Sequence, residues 1–121
     1  MTEARTVALV AAGGALGATA RYLVVETAPS LVSTFAVNVV GCFAIGYILY
    51  AARFDAVSEE GRVLTATGFV SSFTTYSTFA VDVFTSRPAV AVVYVAASYF
   101  FGFAAVAAGS AVAGQGGPRN A

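Results

Sequence analysis

The chain has no lysine and no histidine, and its six arginines stand against six acidic residues in a total of 121, so only 10 % of it is charged. A soluble domain carries about 25 %. That poverty excludes a nucleic-acid-binding tract or a polybasic lipid-binding segment, both of which need clustered positive charge. It also argues against an intramembrane hydrolase, because a serine nucleophile would find no His or Lys to serve as its base. The lone cysteine, Cys42, cannot close a disulfide within the chain and reads as a small buried thiol.

What takes the place of charge is apolar sequence, 59 % of the chain, over a length that suits one domain. About 20 apolar residues in a helix cross a hydrocarbon core of about 30 Å. Four stretches are that long, at about 6–25, 31–52, 63–84 and 89–113. They are too long and too evenly apolar for the alternating strands of a membrane barrel, which run to about 10 residues. The expected fold is therefore an all-α membrane protein of four transmembrane helices. Pro88 suits a helix start, and Ser58 followed by Glu59 and Glu60 suits a short amphipathic turn before the third span. A secretory leader would give way to a polar mature sequence. Here the apolar character continues, so the first span is expected to be retained. With every long run used as a span, function is expected inside the bundle.

Arginine placement gives an orientation. With the N terminus inside, Arg5, Arg53, Arg62 and Arg119 face the cytoplasm, against Arg87 and Arg21 on the other side. The bias is modest and leaves room for insertion both ways.

Polar groups at bilayer depth are rare and each is a candidate for function. Arg21 either snorkels to the headgroups or lines a water-filled mouth, where it would concentrate anions. On the same helix Gly13 with Gly17, and Gly14 with Ala18, form small-xxx-small pairs that permit close helix contact. Asn38 lies mid-span with Thr34 and Gly41 on its face; its amide either bonds a neighbouring helix or donates into a pore. The third span holds eight Ser and Thr residues, and its "SSFTTYST" run has poor helix propensity. Either those hydroxyls bond back to their own carbonyls, or the helix breaks and lines a cavity with free backbone groups. Tyr76 and Phe79 share a face and offer positive ring edges. In the last span Tyr94, Ser98 and Gly102 recur at intervals of four, two hydroxyls and then a gap. Donors outnumber acceptors, and the carboxylates nearest the spans, Glu26 and Asp82, are expected at their ends. A cation or proton pathway would want Asp, Glu or His at depth; an anion pathway wants the groups found here.

Three motifs now meet in order: "GGALGATARY", "STFAVNVVGCFAIG" and "GFVSSFTTYSTF". Together they resemble the signatures of the small fluoride channels called Fluc or CrcB proteins, over nearly the whole chain. The resemblance implies an antiparallel dual-topology dimer in the cell membrane, with two narrow pores and a central structural sodium ion held by backbone carbonyls where the third helix breaks. Residue by residue, it implies that Ser71 and Thr74 supply sodium-binding carbonyls and that Tyr76 and Phe79 fill the two phenylalanine-box places. It implies that Asn38 is the pore asparagine, Arg21 the vestibule arginine, Thr75 a pore-side hydroxyl, and Tyr94 and Ser98 the start of a polar track. The chain departs from the pattern at Ser71 and Ser72, which stand where the family has glycines, at Tyr76, and at Gly102, which lacks a hydroxyl. Serine restricts the backbone conformations that glycine allows, so the first departure bears on the sodium site.

The activity so implied is passive export of fluoride, with a homodimer as the first expectation and an obligate pair of unlike subunits as the alternative. A small multidrug-type transporter has similar length but needs a membrane-embedded carboxylate. A purely structural membrane subunit would pass no ion.

Overall fold

The computed structural model describes residues 1–116, and all regular elements among them are helical. Arg119, counted in the charge bias, lies outside the described residues. Helix α1 (Glu3–Val25) starts where Thr2 accepts a hydrogen bond from the Arg5 N–H at 3.2 Å, satisfying one of the unpaired donors of a first turn. Helix α2 (Ser30–Arg53) follows a short link ending at Pro29. The short turn expected before the third span is the four-residue α3 (Glu59–Arg62), which Ser58 caps by accepting from Gly61 N at 3.0 Å. Helix α6 (Pro88–Gly116) opens on its proline. Helices α1, α2 and α6 are each long and apolar enough to cross a membrane.

The remaining span is not one helix. From α3 the chain passes into a π-helical stretch, Val63–Val70, then α4 (Ser71–Phe73), an extended residue at Thr74, and α5 (Ser77–Thr85). The expected break therefore falls at residues 74–76. Both readings of the hydroxyl-rich segment apply, in different halves. Before the break Thr65 donates to Gly61 O at 2.6 Å and Thr74 to Val70 O at 2.9 Å; from Thr74 to Tyr76 the backbone leaves the helical path.

Glycine lets these elements approach backbone to backbone. A Cβ on Gly13 would overlap the Leu64 carbonyl oxygen, and one on Gly17 the Phe69 carbonyl oxygen, so α1 lies directly on the π-helical stretch. Helix α2 packs along α6 in the same direction: Cys42 meets Gly102, Gly46 meets Val106 and Tyr50 meets Gly114, with both numbers rising together. At one end of the bundle Arg5 pairs with Glu60 at 2.6 Å. This exposed pair adds under about 1 kcal/mol, but it sets residues 5, 53 and 62 at the same end.

Candidate functional site

Asn38 fixes the broken segment. Its Nδ2 donates to the Thr75 carbonyl at 2.9 Å, and its Oδ1 accepts from the Thr75 N–H at 2.8 Å. The amide thus replaces the helical partners that Thr75 loses at the break, and one Nδ2 hydrogen stays free. The Thr75 hydroxyl accepts from Thr78 N at 3.2 Å, as a capping residue does, and lies 3.4 Å from the Ser77 hydroxyl. These bonds leave two carbonyls without their helical donors. In an unbroken helix the Thr75 N–H would bond Ser71 O, and the Thr78 N–H would bond Thr74 O; both N–H groups are engaged elsewhere. Ser71 itself has φ −61° and ψ −33°, and none of the described glycines has positive φ. Serine is therefore accommodated at this position without the conformational latitude of glycine.

The aromatic residues gather on α5 and α6. Phe79 lies 6.0 Å from Tyr76, 5.1 Å from Tyr94 and, edge to face, 6.5 Å from Tyr99, measured between ring centroids. Tyr76, at 74 % exposure, and the exposed Ser71 stand on the open side of the chain. An open cavity of about 520 Å³ runs along this side; Asn38, Cys42, Ser71, Thr75, Phe79 and Ser98 contribute to its wall. Tyr94 is outside that wall, behind Phe79.

Among the described residues, four enclosed side-chain polar atoms have no hydrogen-bond partner: Arg21 Nε, Thr34 Oγ1, Tyr94 OH and Ser98 Oγ. Thr34 is fully buried and Tyr94 only 4 % exposed. Three of the four are hydroxyls at the α2–α6 seam; those of Tyr94 and Thr34 adjoin closely enough to interact with each other, which leaves Ser98 Oγ as the open hydroxyl in the cavity wall. Buried hydroxyls normally find partners, so Ser98 is a donor available to something in the cavity.

Asp82 has a partner that the sequence does not name. It lies in α5 near the end of the span, as expected, but is 7 % exposed. The reason is the turn of the chain after the break, which brings α5 against the start of α2. There the Ser30 hydroxyl donates to Asp82 Oδ1 at 2.9 Å, with Oδ2 at 3.2 Å. Pro29 provides no side-chain cap for α2, and a carboxylate at a helix N-terminus is favoured by its unpaired N–H groups and dipole. The only sequence signal for this pairing is a lone acid six residues beyond Tyr76.

These features define a class: a multi-pass helical membrane protein whose interior carries hydrogen-bond donors and ring edges along a track with little fixed charge, as an ion channel requires. Residues 8–110 match the model of the CrcB-like protein family, described as camphor resistance (CrcB). Among relatives, the fluoride-specific ion channel FluC 2 of Halobacterium salinarum is 44 % identical over 113 residues, covering 92 % of this chain and 88 % of its own length. FluC of Rhizobium johnstonii is 48 % identical over 116 residues, covering 86 % of this chain and 92 % of its own. FluC 2 of Rhodococcus jostii is 46 % identical over 108 residues, with 83 % and 91 % covered. The chain belongs to the CrcB/FluC family.

Proposed function

We propose that this protein is a fluoride-specific channel that exports fluoride passively across the cell membrane and performs no enzymatic reaction. The observation that carries the reading is the unpartnered Ser98 hydroxyl and the free Asn38 hydrogen in the wall of one cavity, in a chain of this family. A small, strongly hydrated anion needs donors to replace its water. Asn38, the Ser98 hydroxyl and the ring edges of Phe79 and Tyr76 supply them without a fixed cation deep enough to trap the ion. Arg21, half-buried with its Nε unpaired, raises the local concentration of anions at the mouth. Hydrofluoric acid enters a cell neutral and dissociates in the more alkaline interior; the negative interior potential then drives fluoride out through a selective leak.

Ser71 and Tyr76, which flank the irregular backbone, are exposed, and irregular backbone is not tolerated against lipid. That supports a second copy covering this face, in an antiparallel dual-topology dimer with four spans from each chain. The Ser71 and Thr74 carbonyls, relieved of their helical donors, suit a hard cation that takes oxygen ligands, as unwound carbonyls hold Na⁺ in other membrane proteins. A sodium ion bound there would supply positive charge that gathers those carbonyls at the dimer axis.

Fluoride efflux from liposomes containing the purified protein alone, with chloride efflux as control, tests the function. Rapid loss of fluoride with chloride retained is expected. No flux from folded protein would overturn a self-sufficient channel and favour an unlike partner subunit or a structural role.

A further inference from the structure

Because α2 and α6 run in the same direction, their shared seam is a ladder of layers one turn, or about 5–6 Å, apart. Thr34 and Tyr94 form its first layer, Asn38 and Ser98 its second, Cys42 and Gly102 its third. At the fourth, Gly46 is pressed against the Val106 backbone and the Ser110 hydroxyl reaches Gly46 O at 3.3 Å, so the seam closes. The first two layers hold the unpartnered hydroxyls. In the third the α6 position has no side chain, and the only atom near a Cβ built on Gly102 is Cys42 Sγ, at 3.5 Å. The thiol lines the same cavity as Asn38 and Ser98.

We infer that Cys42 is a specificity residue of the ion path, its S–H group donating to fluoride at the layer where α6 offers nothing. This rests on the channel reading above. A thiol is a weak, polarisable donor, and placed one turn beyond Asn38 it takes an ion from the Asn38–Ser98 layer without holding it tightly. The Ser98 hydroxyl, enclosed, without a hydrogen-bond partner and in the wall of the same cavity, stands in the layer before it, so Cys42 extends a run of open donors and does not stand alone.

Cys42 is the only cysteine, so a thiol-seeking ion has one target. Silver ion in chloride-free buffer converts R–SH and Ag⁺ to R–S–Ag and H⁺, placing a metal where the donor was. Fluoride efflux from liposomes would be recorded before silver, after it, and after excess dithiothreitol. Flux is expected to fall at least about tenfold and to recover with dithiothreitol. Cys42→Ser, which keeps a donor, is expected to conduct and ignore silver. Cys42→Ala is expected to conduct about fivefold less than Cys42→Ser, the scale of one modest hydrogen bond, and to ignore silver too. Wild-type flux that silver leaves unchanged, whether or not the thiol is titrated, overturns the inference while the channel reading stands. Equal flux in the serine and alanine variants overturns the donor role. Absence of flux before silver overturns the channel reading itself and the inference with it.

Discussion

The Asn38 carboxamide holds both backbone groups of Thr75, donating to its carbonyl at 2.9 Å and accepting from its N–H at 2.8 Å across 37 residues of chain. One side chain thereby closes the gap left by the broken helix and keeps one Nδ2 hydrogen free. The two tasks separate by substitution. In Asn38→Asp the carboxylate still accepts from Thr75 N but sets a charged oxygen against Thr75 O and repels anions. Fluoride efflux is expected to fall at least about tenfold, and the melting temperature in detergent to drop as a bond of about 1–3 kcal/mol becomes a repulsion. Wild-type flux in this variant would remove Asn38 from the ion path.

Glycines along the α2–α6 seam should divide sharply. A Cβ on Gly109 would overlap the Phe43 carbonyl oxygen, which the helix backbone cannot move aside. Gly109→Ala is therefore expected to destabilise by about 1–3 kcal/mol, the scale of overpacking. A Cβ on Gly102 makes only an ordinary 3.5 Å contact with Cys42 Sγ. Gly102→Ala should be neutral or stabilising by up to about 1 kcal/mol through helix propensity. Thermal melts of the two variants in one detergent compare them directly, and equal losses would contradict the seam geometry.

The spans were legible because length and apolarity alone determine them, and the break because "SSFTTYST" is a poor helix at a depth where polar side chains are rare. The π-helical stretch was not. Its register answers to Gly13 and Gly17 of another helix, whose fit against Leu64 and Phe69 leaves no trace in the local sequence. Asn38 was recognisable as a group needing a partner, but choosing Thr75 required the fold. Cys42 looked inert for the same reason: its significance comes from the gap at Gly102 and from the direction of α6, neither of which is local to it.

Asp82 and Ser30 join α5 to the first turn of α2. Removing the donor leaves a buried carboxylate with less to stabilise it, whereas removing the charge relaxes the need for a partner. Ser30→Ala is expected to lower stability by about 1.5–3 kcal/mol, the scale for a hydrogen bond to a charged group. Adding Asp82→Asn to that variant should recover part of the loss. A double-mutant cycle read by thermal melting checks this, and strict additivity of the two changes would mean that the contact contributes nothing.

Phe79 touches Tyr76, Tyr94 and Tyr99 at once, so it could serve as packing, as an ion-contacting ring, or as both. Leucine separates the roles, because it keeps an apolar side chain in the cluster while removing the positive ring edge. Lost aromatic pairing should lower stability by about 1–2 kcal/mol, each pair being worth about 0.5–1.5 kcal/mol, which leaves a folded protein. If the ring edge contacts fluoride, efflux should drop by about tenfold or more, the upper range of one such contact, while chloride stays excluded. Phe79→Tyr retains the ring and should conduct far better than Phe79→Leu. Equal fluoride flux in the two variants, from protein shown to be folded by its melting profile, would assign Phe79 to packing.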